Sequence, residues 1–249
     1  MKFVDTHAHL NFRDYNRDRG NVINSAFQNG AKFIINIGID QKTSEESIAL
    51  AQKYEKIFAT AGWHPHDAKK YDEKQLLELL SHKKIVAVGE IGLDYYRNLS
   101  PKNIQKEVFE KQIKIAIEKN LPIVVHDRNA HQDTFSILEN HKPKKVVFHC
   151  FSGDFEFAQK ILDMGWFLSF TGTITYDKGR SFSIIKSVPE DRFFVETDAP
   201  FLTPKPFRGK RNRPENVRYI IEKIAQIKGK NPNEIAKITT ENAENFFSI

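Results

Sequence analysis

The chain has 249 residues, 40% of them hydrophobic and 28% charged, with a formal net charge of +6. That supplies a sizeable core, while no apolar run reaches the ~18–20 residues needed to cross a bilayer, and the single cysteine, Cys150, excludes an internal disulfide. The positive surplus would attract polyanions, but much of it is lysine spread over helical faces (Lys69, Lys70, Lys83, Lys84), so where the charge clusters matters more than its sum.

In chain order, short apolar runs alternate with longer amphipathic stretches. The predicted strands cover residues 3–7, 32–37, 57–62, 85–89, 122–126, 145–149, 166–170 and 192–196. The clearest predicted helix covers 104–119, where Val108, Ile113, Ile115, Ala116 and Ile117 form the apolar face. Further helices are predicted over 214–227 and 234–247, with Pro232 suited to a first turn. Eight strand–helix units in about 250 residues match a closed parallel (β/α)8 barrel of the TIM type, here with an extra C-terminal helix. An open doubly wound sheet is the rival, but no G-x-G-x-x-G follows the first strand. No linker interrupts residues 1–249, which read as one domain. The N-terminal Met1-Lys2-Phe3-Val4-Asp5 lacks a signal peptide's long apolar segment, so a cytoplasmic location is expected.

Of nine histidines, six (His7, His9, His64, His66, His126 and His149) fall at or just past the carboxyl end of a predicted strand, as do Glu90 and Asp198. A barrel gathers those ends on one face, where catalysis is found. His82, His131 and His141 fall elsewhere and read as surface residues. Singly, each position has an ordinary explanation. His126 or His149 could be a core histidine, Glu90 could begin a loop, and Asp198 could cap a turn. As a set, His7, His9, Glu90, His126, His149 and Asp198 give four imidazoles and two carboxylates at one mouth, a composition that suits two divalent ions. Cys150 reads as a small buried residue, neither ligand nor nucleophile.

Six stretches, Asp5-Thr6-His7-Ala8-His9, Gly62-Trp63-His64-Pro65-His66, Gly89-Glu90-Ile91-Gly92-Leu93-Asp94-Tyr95, His126-Asp127-Arg128, His149-Cys150-Phe151-Ser152-Gly153 and Glu196-Thr197-Asp198-Ala199-Pro200, come in order and at natural spacing. Together they resemble the TatD family of metal-dependent deoxyribonucleases, within the amidohydrolase-like metal-dependent hydrolases. The resemblance runs from residue 3 to the segment 242–247. It implies His7, His9 and Asp198 on one ion, His126 and His149 on the other, and Glu90 bridging both. It further implies a hydrolase of nucleic acid, a DNase with 3′–5′ exonuclease-like phosphodiesterase action. One departure is visible: Arg213 precedes Pro214 where the family more often has a glutamate.

Two such ions, of Zn, Mn, Co, Ni or Mg, would make water acidic enough to attack at neutral pH. Glu90 and Asp198 are then the catalytic carboxylates, with Asp198 orienting the water and accepting its proton. Water or His64 would protonate the leaving oxygen. Lys205, Arg208, Lys210, Arg211 and Arg213 place five cations in nine residues after the last strand. They are read as contacts to a phosphate backbone, with Arg208 and Arg211 foremost, the alternative being a solvated face. Arg128 is read as gripping a phosphate, or else pairing with Asp127 or Asp133. Trp63, Tyr95, Tyr96 and Phe151 could stack on the unpaired bases of single-stranded or frayed DNA, or pack at the barrel rim. The competing enzyme class is a two-metal hydrolase of a small amide, ester or phosphoester. A nucleic-acid-binding module with a vestigial metal ranks lower, because all six ligand positions are filled by ligand-capable residues. Nothing in the sequence calls for an obligate protein partner or a membrane.

Overall fold

Eight short strands lie side by side in chain order, and each neighbouring pair is parallel. They are β1 (Phe3–Ala8), β2 (Ala31–Asn36), β3 (Ile57–Ala61), β4 (Ile85–Asp94), β5 (Ile123–Arg128), β6 (Val146–Phe148), β7 (Phe167–Phe170) and β8 (Phe193–Val195). Between them run α1 (Arg19–Gln28), α2 (Gln41–Lys53), α3 (Glu73–Leu79), α4 (Lys102–Glu118), α5 (His131–His141), α6 (Phe155–Asp163) and α7 (Phe182–Ser187), with α8 (Val217–Lys228) and α9 (Pro232–Phe247) after the last strand. The structure, a computed structural model, describes all 249 residues. One helix per strand with a ninth at the end is the (β/α)8 barrel with an extra C-terminal helix.

Local sequence explains the helix starts. Asp40 caps α2 with a reciprocal bond from Thr43, Asp72 caps α3, Asp154 caps α6, and Asn231 precedes Pro232 at the start of α9. The helix predicted over 214–227 opens as a 3-10 turn, Pro214–Asn216, before becoming α8.

β8 returns to β1 without a full ladder. At the carboxyl ends, His9 N–H bonds Ala199 O (2.7 Å) and Asp198 N–H bonds His7 O (2.9 Å). Deeper in the seam the Asp5 carboxylate stands in for the ladder, accepting the Thr197 N–H (2.9 Å), the Thr197 hydroxyl (2.5 Å) and the His7 N–H (3.3 Å).

The largest difference from the sequence reading is β4, predicted to stop at residue 89 but running to Asp94. Gly89 and Gly92 look like breakers, yet residues 91–94 pair with β5 after a register irregularity between Val88 and Ile91. Gly92 is required there: with φ 145°, an added Cβ would lie 1.9 Å from His126 O. Glu90 therefore projects from within a strand, where its backbone is better held than in a loop.

Val4, Phe33, Val86, Val124, Val147 and Phe194, each second or third in its strand, share one buried cluster with Ala243, Phe246 and Phe247 of α9. The extra helix thus closes the amino end of the barrel. Its placement is fixed by Asn242, which donates to Glu190 O and Phe193 O, and by Lys145, which donates to Asn245 O and Phe246 O. The opposite end stays free for chemistry.

Candidate metal centre

Four nitrogen and oxygen atoms converge at the carboxyl end of the barrel. His7 Nε2 lies 3.2 Å from His9 Nε2, 3.4 Å from Glu90 Oε2 and 3.7 Å from Asp198 Oδ1. His9 Nε2 lies 3.8 Å from Glu90 Oε2 and 3.3 Å from Asp198 Oδ1. Ligands about 2.1 Å from a tetrahedral ion stand about 3.4 Å apart. The observed edges bracket that spacing, and two imidazoles facing two carboxylates are the donor chemistry of a divalent cation, so these residues fit one.

The second oxygen of Glu90 faces another group. Its Oε1 lies 2.8 Å from His126 Nδ1, 3.7 Å from His64 Nε2 and 4.0 Å from His149 Nε2. His149 Nε2 is also 4.0 Å from Asp198 Oδ1, and its ring stacks on His7 at 3.5 Å. One carboxylate therefore reaches both halves of the cluster, and the structure brings all six sequence-predicted ligands together.

Two carboxylates behind the cluster had no assigned role in the sequence reading. Glu196 Oε1 lies 2.6 Å from His149 Nδ1, and Asp94 Oδ2 lies 3.2 Å from His126 Nε2 and 2.8 Å from His66 Nε2. Asp94 accepts from His126 Nε2 and Glu196 stands against His149 Nδ1, in each case the ring nitrogen that points away, so that His149 Nε2 and His126 Nδ1 face the site. This is the usual support of a metal-binding histidine. Both acids stood in the quoted stretches, Glu196 two residues before Asp198 and Asp94 four after Glu90.

His64 falls in the same cluster as Glu90 and His126, but its hydrogen bonding assigns it differently. Its Nδ1 accepts the His66 N–H (3.2 Å), so the proton of a neutral ring sits on Nε2, facing the site. Burial, then the neighbouring His126, holds His64 well below the usual histidine range. It presents an N–H rather than a lone pair, which suits donation to a substrate oxygen.

Burial works against charge throughout the cluster, and the outcome depends on neighbours. At His149 the carboxylates of Glu196, Glu90 and Asp198 outweigh burial and push the imidazole up to about 10. At His126 the bonds to Asp94 and Glu90 do the same, up to about 9. Burial would raise Glu90, but His126 and His7 hold it well below the carboxylate range. His7 is lowered by burial and then by His149. Protons on His149 and His126 thus neutralise the same carboxylates that a divalent ion would satisfy.

The expected substrate contacts divide. Arg211 spends its guanidinium on Asp18, at 2.9 Å and 2.6 Å, and lies over the Tyr15 ring, so it fastens the loop after β8 to the segment after β1 and is not free for phosphate. Arg213 sits 3.9 Å from both Asp18 and Glu215. Arg208 has no acidic partner and lies over Tyr176. Arg128 lies over Tyr96, because Asp127 is taken by His131 and Asp133 by Lys106 and Tyr95. Trp63 is buried against Tyr71 and offers no face to a base, whereas Tyr96 is exposed. Cys150 has its Sγ 3.4 Å from Thr171 Oγ1, and desolvation raises the thiol far above the range of a nucleophile.

The family described as TatD related DNase matches residues 4–248. The chain is 45% identical to the uncharacterized metal-dependent hydrolase YabD of Bacillus subtilis, over 98% of each chain. It is 32% identical to the 3′-5′ ssDNA/RNA exonuclease TatD of Shigella flexneri, again over 98% of each. Its fold superposes on the crystal structure of YjjV, a TatD homologue from Escherichia coli, with a TM-score of 0.93 and 29% identity, covering 99% of this chain and 98% of that one. A match that spans nearly every strand and the closing helix α9 leaves no part of the fold unaccounted for, and the chain belongs to the TatD family of metal-dependent hydrolases.

Proposed function

We infer that the protein is a two-metal phosphodiesterase that trims nucleic acid from a 3′ end, with single-stranded or frayed DNA as its substrate and the cytoplasm as its location. The observation that carries this reading is the Glu90 carboxylate, whose Oε2 faces His7 and His9 and whose Oε1 faces His126, His64 and His149. In this assignment His7, His9 and Asp198 would hold one ion and His126 and His149 the other, with the Glu90 carboxylate available to both. The mixed imidazole–carboxylate set accepts Zn, Mn, Co, Ni or Mg. Such ions supply Lewis acidity toward phosphate oxygens and make water a competent nucleophile near pH 7.

The protein's own groups do the rest. Asp198, beside His9 and His7, orients the attacking water and takes its proton. His64 donates an Nε2–H hydrogen bond to the departing oxygen, which takes its proton from water. Asp94 and Glu196 hold the His126 and His149 rings so that the correct nitrogen faces inward. Arg208, with Lys205 and Lys210, contacts the phosphate backbone from the loop after β8, since Arg211 is engaged elsewhere. The name carried by the Shigella relative supports the choice of nucleic acid. No helix is long and apolar enough to cross a membrane.

The test is metal-reconstituted protein on end-labelled single-stranded DNA, double-stranded DNA and RNA, with Glu90→Ala as control. Stepwise loss of nucleotides from the 3′ end of single strands, abolished in Glu90→Ala, is expected. Metal-dependent cleavage of none of the three would overturn the nuclease reading in favour of a small ester, amide or phosphoester.

A further inference from the structure

Next to His9, on the β1–β2 side of the mouth, lies an open groove of about 580 Å³. Its volume falls in the range of about 300–1,000 Å³ found for small-molecule sites. The wall nearest the metal centre is aromatic. Phe12 stacks on His9 with ring centroids 4.5 Å apart, and Phe201 stands edge-on to both His9 (6.3 Å) and Phe12 (6.1 Å). Phe201 is 49% exposed, although its N–H is bonded to Asp198 O at 2.8 Å. A large apolar ring is thus held at the edge of a polar catalytic centre with its outer face uncovered. None of the catalytic steps above uses it.

The charges around the groove narrow the occupant. Arg13 and Lys42 on its rim are matched by Asp14 and Glu46, so the lining carries no net charge. A phosphate gains nothing from such a rim, because the acids repel what the bases attract. An uncharged planar ring with hydrogen-bonding edges fits both the aromatic wall and the mixed rim. The phosphates of the same substrate have a separate destination in the loop after β8, where Lys205, Arg208 and Lys210 form no ion pair with an acid.

We propose that this groove is a nucleobase subsite, in which the base adjoining the scissile phosphate stacks on Phe201 with Phe12 as the back wall. The proposal rests on the nuclease reading and extends it. It divides the mouth into a base side, lined by the segments after β1 and β2 with Phe201 reaching over from the loop after β8, and a phosphate side farther along that loop. It also gives single strands an advantage, since a base must leave its duplex to reach the groove.

The experiment compares a single-stranded oligonucleotide with copies that carry an abasic residue at the terminal or the penultimate position. Each is cleaved by the metal-loaded wild type, Phe201→Ala and Phe201→Tyr. In the wild type, loss of the stacked base should lower kcat/KM about five- to 150-fold at one of the two positions, the range base–aromatic stacking supports. Phe201→Ala should lose a similar factor on the intact strand and almost nothing more on the abasic one, and Phe201→Tyr should recover most of it. A second readout needs no turnover: 2-aminopurine at that position should be quenched on rapid mixing with wild type and not with Phe201→Ala. Independent, multiplying losses, or a Phe201→Ala variant that cleaves and quenches as the wild type does, would overturn the subsite while leaving the nuclease intact. A wild type that cleaves and binds no nucleic acid would remove the nuclease reading and the subsite together.

Discussion

Replacing Glu196 by glutamine removes one negative charge and keeps the shape. Glu196 is 1% exposed, and its Oε1 faces His149 Nδ1 at 2.6 Å and accepts the Cys150 N–H at 2.7 Å. A hydrogen bond to a charged acceptor is worth about 1.5–3 kcal/mol and a neutral one about 1 kcal/mol. The change therefore costs about 0.5–2 kcal/mol of support for His149, or roughly two- to thirtyfold in ion affinity above about pH 10, where protons no longer compete, a range that overlaps the ten- to hundredfold cost typical of such supporting groups. The pH dependence gives an independent signature. With no ion bound, His149 is raised to about 10, so near pH 7 it carries a proton that an ion must displace. His126, raised to about 9, carries a second. Because both are raised, the competition is strongest at low pH and disappears as pH rises through about 9–10. Apparent affinity should climb with pH by about one logarithmic unit per displaced proton. In Glu196→Gln the largest carboxylate influence on His149 is gone, so one proton fewer is displaced and the slope should fall by about one. Titration calorimetry in two buffers of different ionisation enthalpy measures affinity and proton release together. Wild-type affinity with wild-type proton release in the variant would refute the assignment of Glu196 as the group that orients and charges His149.

Asp5→Ala should open the β8–β1 seam, since it leaves the buried Thr197 N–H and hydroxyl without their acceptor. At about 1–3 kcal/mol per orphaned donor, the expected loss is about 2–5 kcal/mol, seen as a Tm lower by roughly 5–15 °C, and an unchanged Tm would exclude this role. Arg211→Ala and Arg208→Ala should separate structure from binding. Arg211→Ala breaks the two-pronged bond to Asp18 and should cost about 1–2 kcal/mol of stability, measured by urea denaturation, with little change in kcat. Arg208→Ala should leave stability alone, weaken oligonucleotide binding and reduce its salt dependence by about one counterion, read from affinity at several ionic strengths.

The architecture was legible because barrel periodicity is written in apolar runs. All eight strands and their order follow from stretches such as 32–37 and 166–170, and the clustering of His7, His9, Glu90, His126, His149 and Asp198 follows from where histidine and carboxylate interrupt those runs. What could not be read depended on partners distant in sequence. The extension of β4 to Asp94 rests on pairing with β5, and Gly92, a breaker by local rules, is there because His126 O passes too close for a side chain. Arg211 and Arg208 sit three residues apart in one basic run, and nothing in that run reveals that Asp18, 193 residues away, claims one of them. Trp63 is adjacent to His64 in sequence, yet it turns into the core against Tyr71.

Glu196 and Asp198 show the same limit at the centre of the site. Their spacing of two would put both side chains on one face of a regular strand and give them one role. β8 ends at Val195, however, and Asp198 takes φ 54°, in the left-handed region that a non-glycine residue enters at a cost of order 1–3 kcal/mol. The surrounding bonds over-determine that turn. Thr197 is held by Asp5, Asn212 donates to Thr197 O and Phe201 O, the Ala199 N–H bonds Thr197 Oγ1, and the Asp198 N–H bonds His7 O. The turn sends Glu196 behind His149 and Asp198 in front of His9. One acid then supports the His149 ring while the other joins the cluster, and the cost of the left-handed residue is offset by the network that closes the barrel at the same point.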